Sequence, residues 1–101
     1  MALVVMYGTL WCPDCYRARR WLQRAGVKFV EINIDWDTHG EAVVLRVNGG
    51  RRTTPTFQIG ERFLTVSPFN PEVLEEALRA ASVLPAPAPA GLQSGDSAVG
   101  P

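Results

Sequence analysis

The chain is short of the residues on which several classes of protein depend. Its 101 residues include only two cysteines and one histidine, so a closed four-ligand zinc site would have to be shared between two chains. Ten basic and ten acidic residues give a formal net charge of zero, so no overall field attracts nucleic acid or anionic lipid. No apolar run approaches the ~18 residues that span a bilayer. We therefore expect one globular unit without a metal site, a membrane span or a nucleic-acid partner.

The N-terminus also lacks the basic region, apolar stretch and cleavage site that mark a secretory leader. We therefore expect a cytoplasmic protein, and in that compartment thiol pools keep structural disulfides rare. Cys12 and Cys15 then favour a working dithiol over a structural bridge. A bridge across two intervening residues closes almost no loop and gains little chain entropy, whereas reversible thiol exchange needs two sulfurs this close.

The pattern of apolar residues predicts the element order β-α-β-α-β-β-α in an α/β fold. The predicted strands cover residues 3–7, 28–34, 56–59 and 62–66, and the predicted helices cover residues 13–25, 41–47 and 71–81. Pro13 and Pro71 suit a first helical turn, while Gly26 and the run Asn48-Gly49-Gly50 suit helix ends. Residues 85–101 are rich in proline, alanine and glycine, so we expect a disordered tail after a domain of residues 1–84.

The position of Cys12 at the start of the first predicted helix indicates its chemistry. Unsatisfied backbone N–H groups and the helix dipole stabilise a thiolate at that end. We expect Cys12 to be the nucleophile, with the amides of Asp14 and Cys15 directed at its sulfur, because Pro13 has no N–H. Cys15 lies one turn further on the apolar face and should stay protonated as the resolving thiol.

Three segments together resemble the glutaredoxin family, the minimal form of the thioredoxin fold. They are residues 6–15, residues 48–56, and the segment from the predicted hairpin to the end of the terminal helix. The hairpin is predicted by Gly60-Glu61, which joins the strands of residues 56–59 and 62–66. The resemblance covers residues 3–82 and implies a four-stranded mixed sheet and a thiol–disulfide oxidoreductase that reduces protein disulfides or mixed disulfides. It also implies that Thr54 and Pro55 form the edge at which a substrate docks, with Pro55 in the cis form and facing the dithiol.

Two places differ from the members of the family that use glutathione. Those members carry a lysine where this chain has Thr9, and a Gly-Gly-x-Asp segment where it has residues 66–70. Thr9, Trp11 and residues 48–53 are more similar to mycoredoxins and to the redoxins that supply electrons to ribonucleotide reductase. The resemblance therefore implies no bound cofactor and a low-molecular-weight thiol co-substrate, which is glutathione, mycothiol or bacillithiol.

Two alternatives stay open beside this interpretation. In one, the protein is an electron donor to ribonucleotide reductase and is recharged by a reductase of the thioredoxin reductase type. In the other, it is a non-catalytic carrier in which Cys12 thiolates from two chains bridge an iron–sulfur cluster or another metal. For the enzyme we expect a monomer that acts on disulfide-containing proteins.

Four further residues are candidates for substrate binding: Trp11, Pro13, Asp14 and Arg52. Trp11 precedes the nucleophile, and Arg52 offers charge-assisted contacts to an anionic thiol or an acidic partner. Packing at the rim and a solvated turn are the structural alternatives for these two. We hypothesise that Asp14 repels the Cys12 thiolate and makes the pair more reducing, against the alternative of a solvated helix start. We expect Trp21 and Trp36 to pack in or beside the core. Residues 35–38 are predicted to form a turn, and His39, beside Gly40 in a polar turn, should lie on the surface.

Overall fold

The computed structural model describes residues 2–85, and it has the predicted order β-α-β-α-β-β-α. The strands are β1 (Val4–Gly8), β2 (Val30–Asn33), β3 (Thr56–Ile59) and β4 (Arg62–Thr65), and the helices are α1 (Pro13–Arg24), α2 (Thr38–Val47) and α3 (Pro71–Ala80). Apart from Pro85, the predicted tail lies outside the described residues, so the boundary at residue 84 stays a prediction. Within residues 2–85, no helix combines the length and the apolar character needed to cross a membrane.

The four strands form one mixed sheet, as the resemblance implied, and their order in the sheet is β2-β1-β3-β4. β1 runs parallel to β2, while β3 is antiparallel to both β1 and β4. In this register Gly8 lies opposite Asn33, and Tyr7 lies opposite Thr56. The ends of β1 and β2 and the start of β3 therefore share one edge of the sheet. We call this the dithiol edge, because residues 9–12 leave the sheet there and residues 53–55 enter it.

The core lies on both faces of β1, whose five residues are all buried. Val4 and Met6 belong to the main cluster, which joins the sheet to α1 and α3, whereas Val5 and Tyr7 join a smaller cluster with α2. The alternation follows from the two-residue side-chain period of a strand. The main cluster includes Ala18, Leu22, Phe57, Leu74 and Leu78. Helix α1, which positions the dithiol, is therefore held by its apolar side against the sheet.

Local signals set the helix ends as predicted in two helices. Pro13 and Pro71 occupy first turns, and the Asn70 side chain caps α3 by accepting from the Glu72 amide at 3.0 Å. Gly26, just beyond α1, has a φ of 73°, which is a conformation that favours glycine. The chain can therefore turn from α1 toward β2 directly after the helix ends.

Helix α2 begins three residues earlier than predicted, at Thr38 in place of Glu41. The Asp37 side chain caps this extra turn by accepting from the Gly40 amide at 2.8 Å. Gly40 was expected to sit in a polar turn, but it lies buried in the helix, where a Cβ would come within 2.7 Å of Ile32. His39 is exposed, as predicted, but it belongs to the first turn of α2.

The two tryptophans that were expected to pack differ in the structure. Trp21 is partly buried and contacts the main cluster, which confirms the expectation for that residue. Trp36 follows β2 at the dithiol edge and is 79% exposed, so the expectation for Trp36 was wrong. The physical reason is that Trp36 lies in the turn between β2 and α2, beyond the elements whose faces form the core.

Candidate active site

The local fold around Cys12 is that of a helix start. Cys12 is the N-cap of α1 with an extended backbone, and its Sγ accepts a hydrogen bond from the Cys15 amide at 3.0 Å. Pro13 follows at the first helical position, where it has no N–H to offer. Of the two amides expected to point at the sulfur, the structure therefore pairs that of Cys15 with it. Cys12 as a whole is only partly buried.

Cys15 lies one turn into α1 and is fully buried. Burial, together with a hydrogen bond to Cys12, raises the pKa of the Cys15 thiol to about 12. Hydrogen bonds with the backbone of Thr9 and the side chain of Thr54 act in the opposite direction without reversing the shift. At neutral pH the Cys15 sulfur therefore keeps its proton, which is the state that the sequence predicted for it.

Gly8 is a site residue that the sequence analysis did not identify. It is the last residue of β1, and a Cβ at this position would lie 2.7 Å from the Cys15 Sγ. Such a contact is too short for carbon and sulfur, so only glycine lets the helix bring Cys15 this close to the strand. The glycine between an apolar strand and the dithiol was the available signal, but a glycine at a strand end is also typical of an ordinary loop.

The predicted docking edge, Thr54 and Pro55, lies beside the dithiol. The Cys12 thiol donates to the Thr54 carbonyl oxygen, with 3.7 Å between sulfur and oxygen. The peptide bond between Thr54 and Pro55 is cis, as the family resemblance implied. Within residues 2–85 the Thr54 amide makes no hydrogen bond, whereas the Pro55 carbonyl accepts from the Val66 amide at 3.2 Å. One edge of this segment is therefore paired with the sheet, and the Thr54 amide is available to another chain.

A network of polar side chains lies behind the docking edge and connects it to the neighbouring strands. The Asn48 side-chain amide donates to the Thr56 Oγ1 at 3.1 Å, and its carbonyl oxygen accepts from the Thr65 Oγ1 at 2.8 Å. The buried Thr56 hydroxyl in turn donates to the Thr53 carbonyl at 2.9 Å. The sequence indicated Asn48 only as part of a helix end. Its contacts show that it also joins β3 and β4 just behind the cis peptide.

Asp14 connects the start of α1 to the loop before α3. Its Oδ1 accepts from the Phe69 amide at 3.0 Å and from the Arg17 guanidinium at 3.0 Å. These two contacts contradict the alternative that Asp14 is a freely solvated residue at a helix start. Its predicted effects on substrate binding and on the reducing power of the dithiol stay predictions. The contact with Phe69 spans 55 positions of the chain, and no local pattern signals it.

Trp11 and Arg52 lie near the dithiol edge in different states. Trp11, directly before Cys12, is 85% exposed, so its ring is free to contact a substrate. The Arg52 guanidinium pairs with Asp35 at 2.6 Å and with Glu41 at 2.7 Å. Arg52 thus joins the β2–α2 turn to the segment before β3. Its predicted role in substrate binding stays a prediction, which these two ion pairs do not favour.

Comparison of the sequence with known proteins finds a matching protein family and individual relatives. Residues 4–64 match the protein family described as Glutaredoxin. A glutaredoxin of Pseudomonas aeruginosa is 46% identical over 61 residues, which is 60% of this chain and 71% of that protein. A Mycobacterium tuberculosis protein, described as a glutaredoxin only provisionally, is 29% identical over 80 residues, or 79% of this chain and 95% of that protein.

Solved structures extend the similarity to the fold. The crystal structure of a glutaredoxin from Archaeoglobus fulgidus aligns with a TM-score of 0.62 and 34% identity. That alignment covers 78% of this chain and 88% of the archaeal one. The matched family segment, residues 4–64, includes the dithiol and the docking edge.

Proposed function

The chain belongs to the glutaredoxin family, and on that premise we propose that it is a dithiol oxidoreductase that reduces protein disulfides or their mixed disulfides with low-molecular-weight thiols. Membership supports a thiol–disulfide redox role in general. The proposal for this chain rests on one observation. The sulfur of a half-buried Cys12 accepts an amide hydrogen bond at a helix start, while a buried Cys15, whose pKa is raised, lies one turn behind it.

In the first step the Cys12 thiolate attacks one sulfur of the substrate disulfide. A new bond forms between Cys12 and that sulfur, the substrate's S–S bond breaks, and the other sulfur leaves as a thiolate that takes up a proton. The Cys15 amide stabilises the negative charge on Cys12 before the attack. The Thr54 amide offers the incoming chain a backbone hydrogen bond of the kind that an added strand makes.

In the second step Cys15 loses its proton and attacks the Cys12 sulfur. The mixed disulfide breaks, the second substrate sulfur leaves and is protonated, and Cys12 and Cys15 are joined by a disulfide after passing two electrons to the substrate. Burial is the largest cause of the raised Cys15 pKa, and two further causes, a hydrogen bond and a charge, come from Cys12. Once Cys12 is bonded to substrate, its sulfur carries no negative charge, so the part of the increase that comes from Cys12 is relieved.

The internal disulfide must then be reduced, and we propose that a low-molecular-weight thiol does this. Glutathione, mycothiol and bacillithiol are the candidates. The sequence differs from glutathione-using members at Thr9 and at residues 66–70, and these differences argue against glutathione itself. A reductase of the thioredoxin reductase type is the competing source of electrons. A coupled assay in which each thiol or reductase is supplied alone distinguishes them. Turnover with the reductase and with none of the thiols would contradict this part of the proposal.

Two substitutions test the division of labour between the cysteines. In Cys12→Ser, reduction of every disulfide substrate should fall to the background rate, because no thiolate remains at the helix start. In Cys15→Ser, a protein mixed disulfide with a small thiol should still be reduced, whereas a protein disulfide should trap the enzyme as a stable mixed disulfide. Mass spectrometry of quenched reactions identifies both products. Full activity of Cys12→Ser on any disulfide would refute the proposal.

A further inference from the structure

A groove runs along the outer side of α1 and ends at the start of α3. It has a volume of about 440 Å³ and is lined by two kinds of side chain. The aromatic residues are Tyr16, Trp21 and Phe69, and the basic residues are Arg17, Arg20 and Arg24. None of these residues forms part of the exchange chemistry proposed above. We call this feature the arginine groove.

The three arginines give the groove a positive charge on a chain whose formal net charge is zero. Their spacing of three and four positions places them on one side of the helix. Arg17 pairs with Asp14, but its side chain is still 61% exposed. Within residues 2–85, Arg20 and Arg24 form no ion pair, and Arg20 contacts the Tyr16 ring and hydroxyl instead. Two guanidinium groups are therefore available to an anionic ligand.

The groove begins next to the dithiol. Tyr16 directly follows Cys15, and the Phe69 amide is bonded to Asp14, which lies between the two cysteines in sequence. From Tyr16 to Arg24 the helix rises by ~12 Å, the length of about four residues of extended chain. A protein whose disulfide meets Cys12 is therefore placed to lay a neighbouring segment along the groove.

We infer that the arginine groove binds a short acidic segment of the disulfide-bearing partner protein, with an apolar side chain of that segment against Trp21 and Phe69. The inference rests on the proposed function. Carboxylates complement Arg20 and Arg24 through charge-assisted hydrogen bonds, and the aromatic floor suits an apolar anchor. The groove would thereby select among disulfides that Cys12 attacks equally well.

The test uses single-turnover reduction by the reduced full-length protein, so that no external reductant is needed. The probes are synthetic peptides whose single cysteine is joined to 2-mercaptoethanol, with an acidic segment containing phenylalanine at spacers of different length. Matched peptides carry glutamine and asparagine in place of glutamate and aspartate. We expect the second-order rate for the best acidic peptide to exceed that of its amide counterpart about tenfold at low salt, and the difference to shrink as salt is added.

The variants separate the groove from the overall charge. The double variant Arg20→Glu/Arg24→Glu should lose the preference or reverse it. Arg17 is left in place because its partner Asp14 holds the Phe69 loop. The control Lys28→Glu/Arg62→Glu changes the net charge by the same amount at two exposed residues, which lie just before β2 and at the start of β4, at the opposite end of the sheet from the dithiol edge. It should keep the preference of the wild type.

Several outcomes would overturn the inference. Equal rates for acidic and amide peptides would do so, and so would an equal loss of preference in Lys28→Glu/Arg62→Glu. Suppression of the preference by free glutamate at concentrations comparable to the peptide would assign the groove to small anions. Reduction of bis(2-hydroxyethyl) disulfide, which is uncharged, reports on the dithiol alone. If that reaction fails in the wild type, the proposed function is wrong, whereas if it proceeds without any acidic preference, only the groove assignment is wrong.

Discussion

The two sulfurs of the dithiol lie one helical turn apart in opposite surroundings. Cys12 is half-buried at the helix start, and its sulfur accepts a hydrogen bond from the Cys15 amide of the same turn. Cys15 is fully buried against the end of β1, where Gly8 leaves just enough space for its sulfur. Local helix geometry therefore gives the first sulfur its amide donor, while packing against the end of β1 buries the second.

The difference shows how three positions of sequence separation suffice for two roles. A thiol attacks as its thiolate, so a sulfur that keeps its proton to about pH 12 does not compete for incoming disulfides at neutral pH. The same burial keeps Cys15 within reach of Cys12 when the mixed disulfide must be resolved. Changes that alter the surroundings of only one sulfur therefore test the comparison directly.

The largest expected effect is on stability at high pH. The Cys15 thiol has an ordinary pKa of 9.0 in an unfolded chain and about 12 in the fold. Between these values the native state binds more protons than the unfolded state, so the free energy of unfolding decreases as pH rises, by about 1.4 kcal/mol per pH unit from this group. The stabilising contribution is complete below pH 9 and is lost as pH rises through 12.

Denaturant unfolding of the reduced protein at a series of alkaline pH values measures this slope. The control is Cys15→Ala, which lacks the group but keeps every other residue that titrates in the range. We expect the difference in unfolding free energy between the two proteins to shrink steadily above pH 9. Parallel curves would show that Cys15 titrates normally in the fold, and the contrast between the two sulfurs would then disappear.

Next in size is the effect of Gly8→Ala on the buried side of the dithiol. The new methyl group would meet the Cys15 Sγ at 2.7 Å, so we expect a loss of about 1–3 kcal/mol in unfolding free energy. Because the sulfur must shift, formation of the Cys12–Cys15 disulfide from a mixed disulfide should also slow. Chemical denaturation measures the first effect, and rapid acid quenching with mass spectrometry measures the second.

Gly40→Ala is the matched control for Gly8→Ala. A methyl group there approaches the Ile32 Cγ2 at the same 2.7 Å, but this atom is the end of an aliphatic side chain that packs against the cluster of α2, and it is not a sulfur of the dithiol. Alanine also favours a helix over glycine by about 1 kcal/mol, which offsets part of the crowding. The Gly40→Ala protein should resolve mixed disulfides at the wild-type rate. Equal slowing in both variants would mean that Gly8 has no particular role in placing Cys15.

The smallest effect is expected for substitutions of Asp14, which follows the less buried cysteine, Cys12, by two positions. In Asp14→Ala the Phe69 amide loses its acceptor, so unfolding free energy should fall by ~1–2 kcal/mol, whereas Asp14→Asn keeps an acceptor and should lose less. Since Arg17 partly neutralises the carboxylate, Asp14→Asn should speed alkylation of Cys12 by iodoacetamide at pH 7 by less than about fivefold, equivalent to ~1 kcal/mol.

The two readouts at Asp14 distinguish its roles. Arg17→Gln is the companion variant, because it removes the neutralising charge and leaves the bond to Phe69 in place. An increase of more than about tenfold in Asp14→Asn would mean that the carboxylate acts mainly on the Cys12 thiolate, as first hypothesised. An unchanged unfolding free energy in Asp14→Ala would show that the contact with Phe69 contributes nothing.

Much of the fold follows from signals that act over a few residues. Apolar periodicity, Pro13 and Pro71 in first turns, and Gly60-Glu61 between two strands were sufficient for the element order and most of the bounds. The start of α2 was missed because its cap, Asp37, was assigned to a turn and Gly40 was placed in a polar turn. The packing of Gly40 against Ile32, which favours glycine there, becomes visible only when β2 and α2 are placed together.

The same division runs through the candidate site. The helix start at Cys12 is a property of the residues around it, so the sequence was enough to predict that the Cys15 amide is directed at the Cys12 sulfur. Four other features join parts of the chain that no pattern connects: Gly8 beneath Cys15, Asp14 on the Phe69 amide, Arg52 between two carboxylates, and the arginine groove. Helix capping acts within a few residues of the chain, whereas burial, long-range hydrogen bonds and charge pairing depend on which distant residues the fold brings into contact.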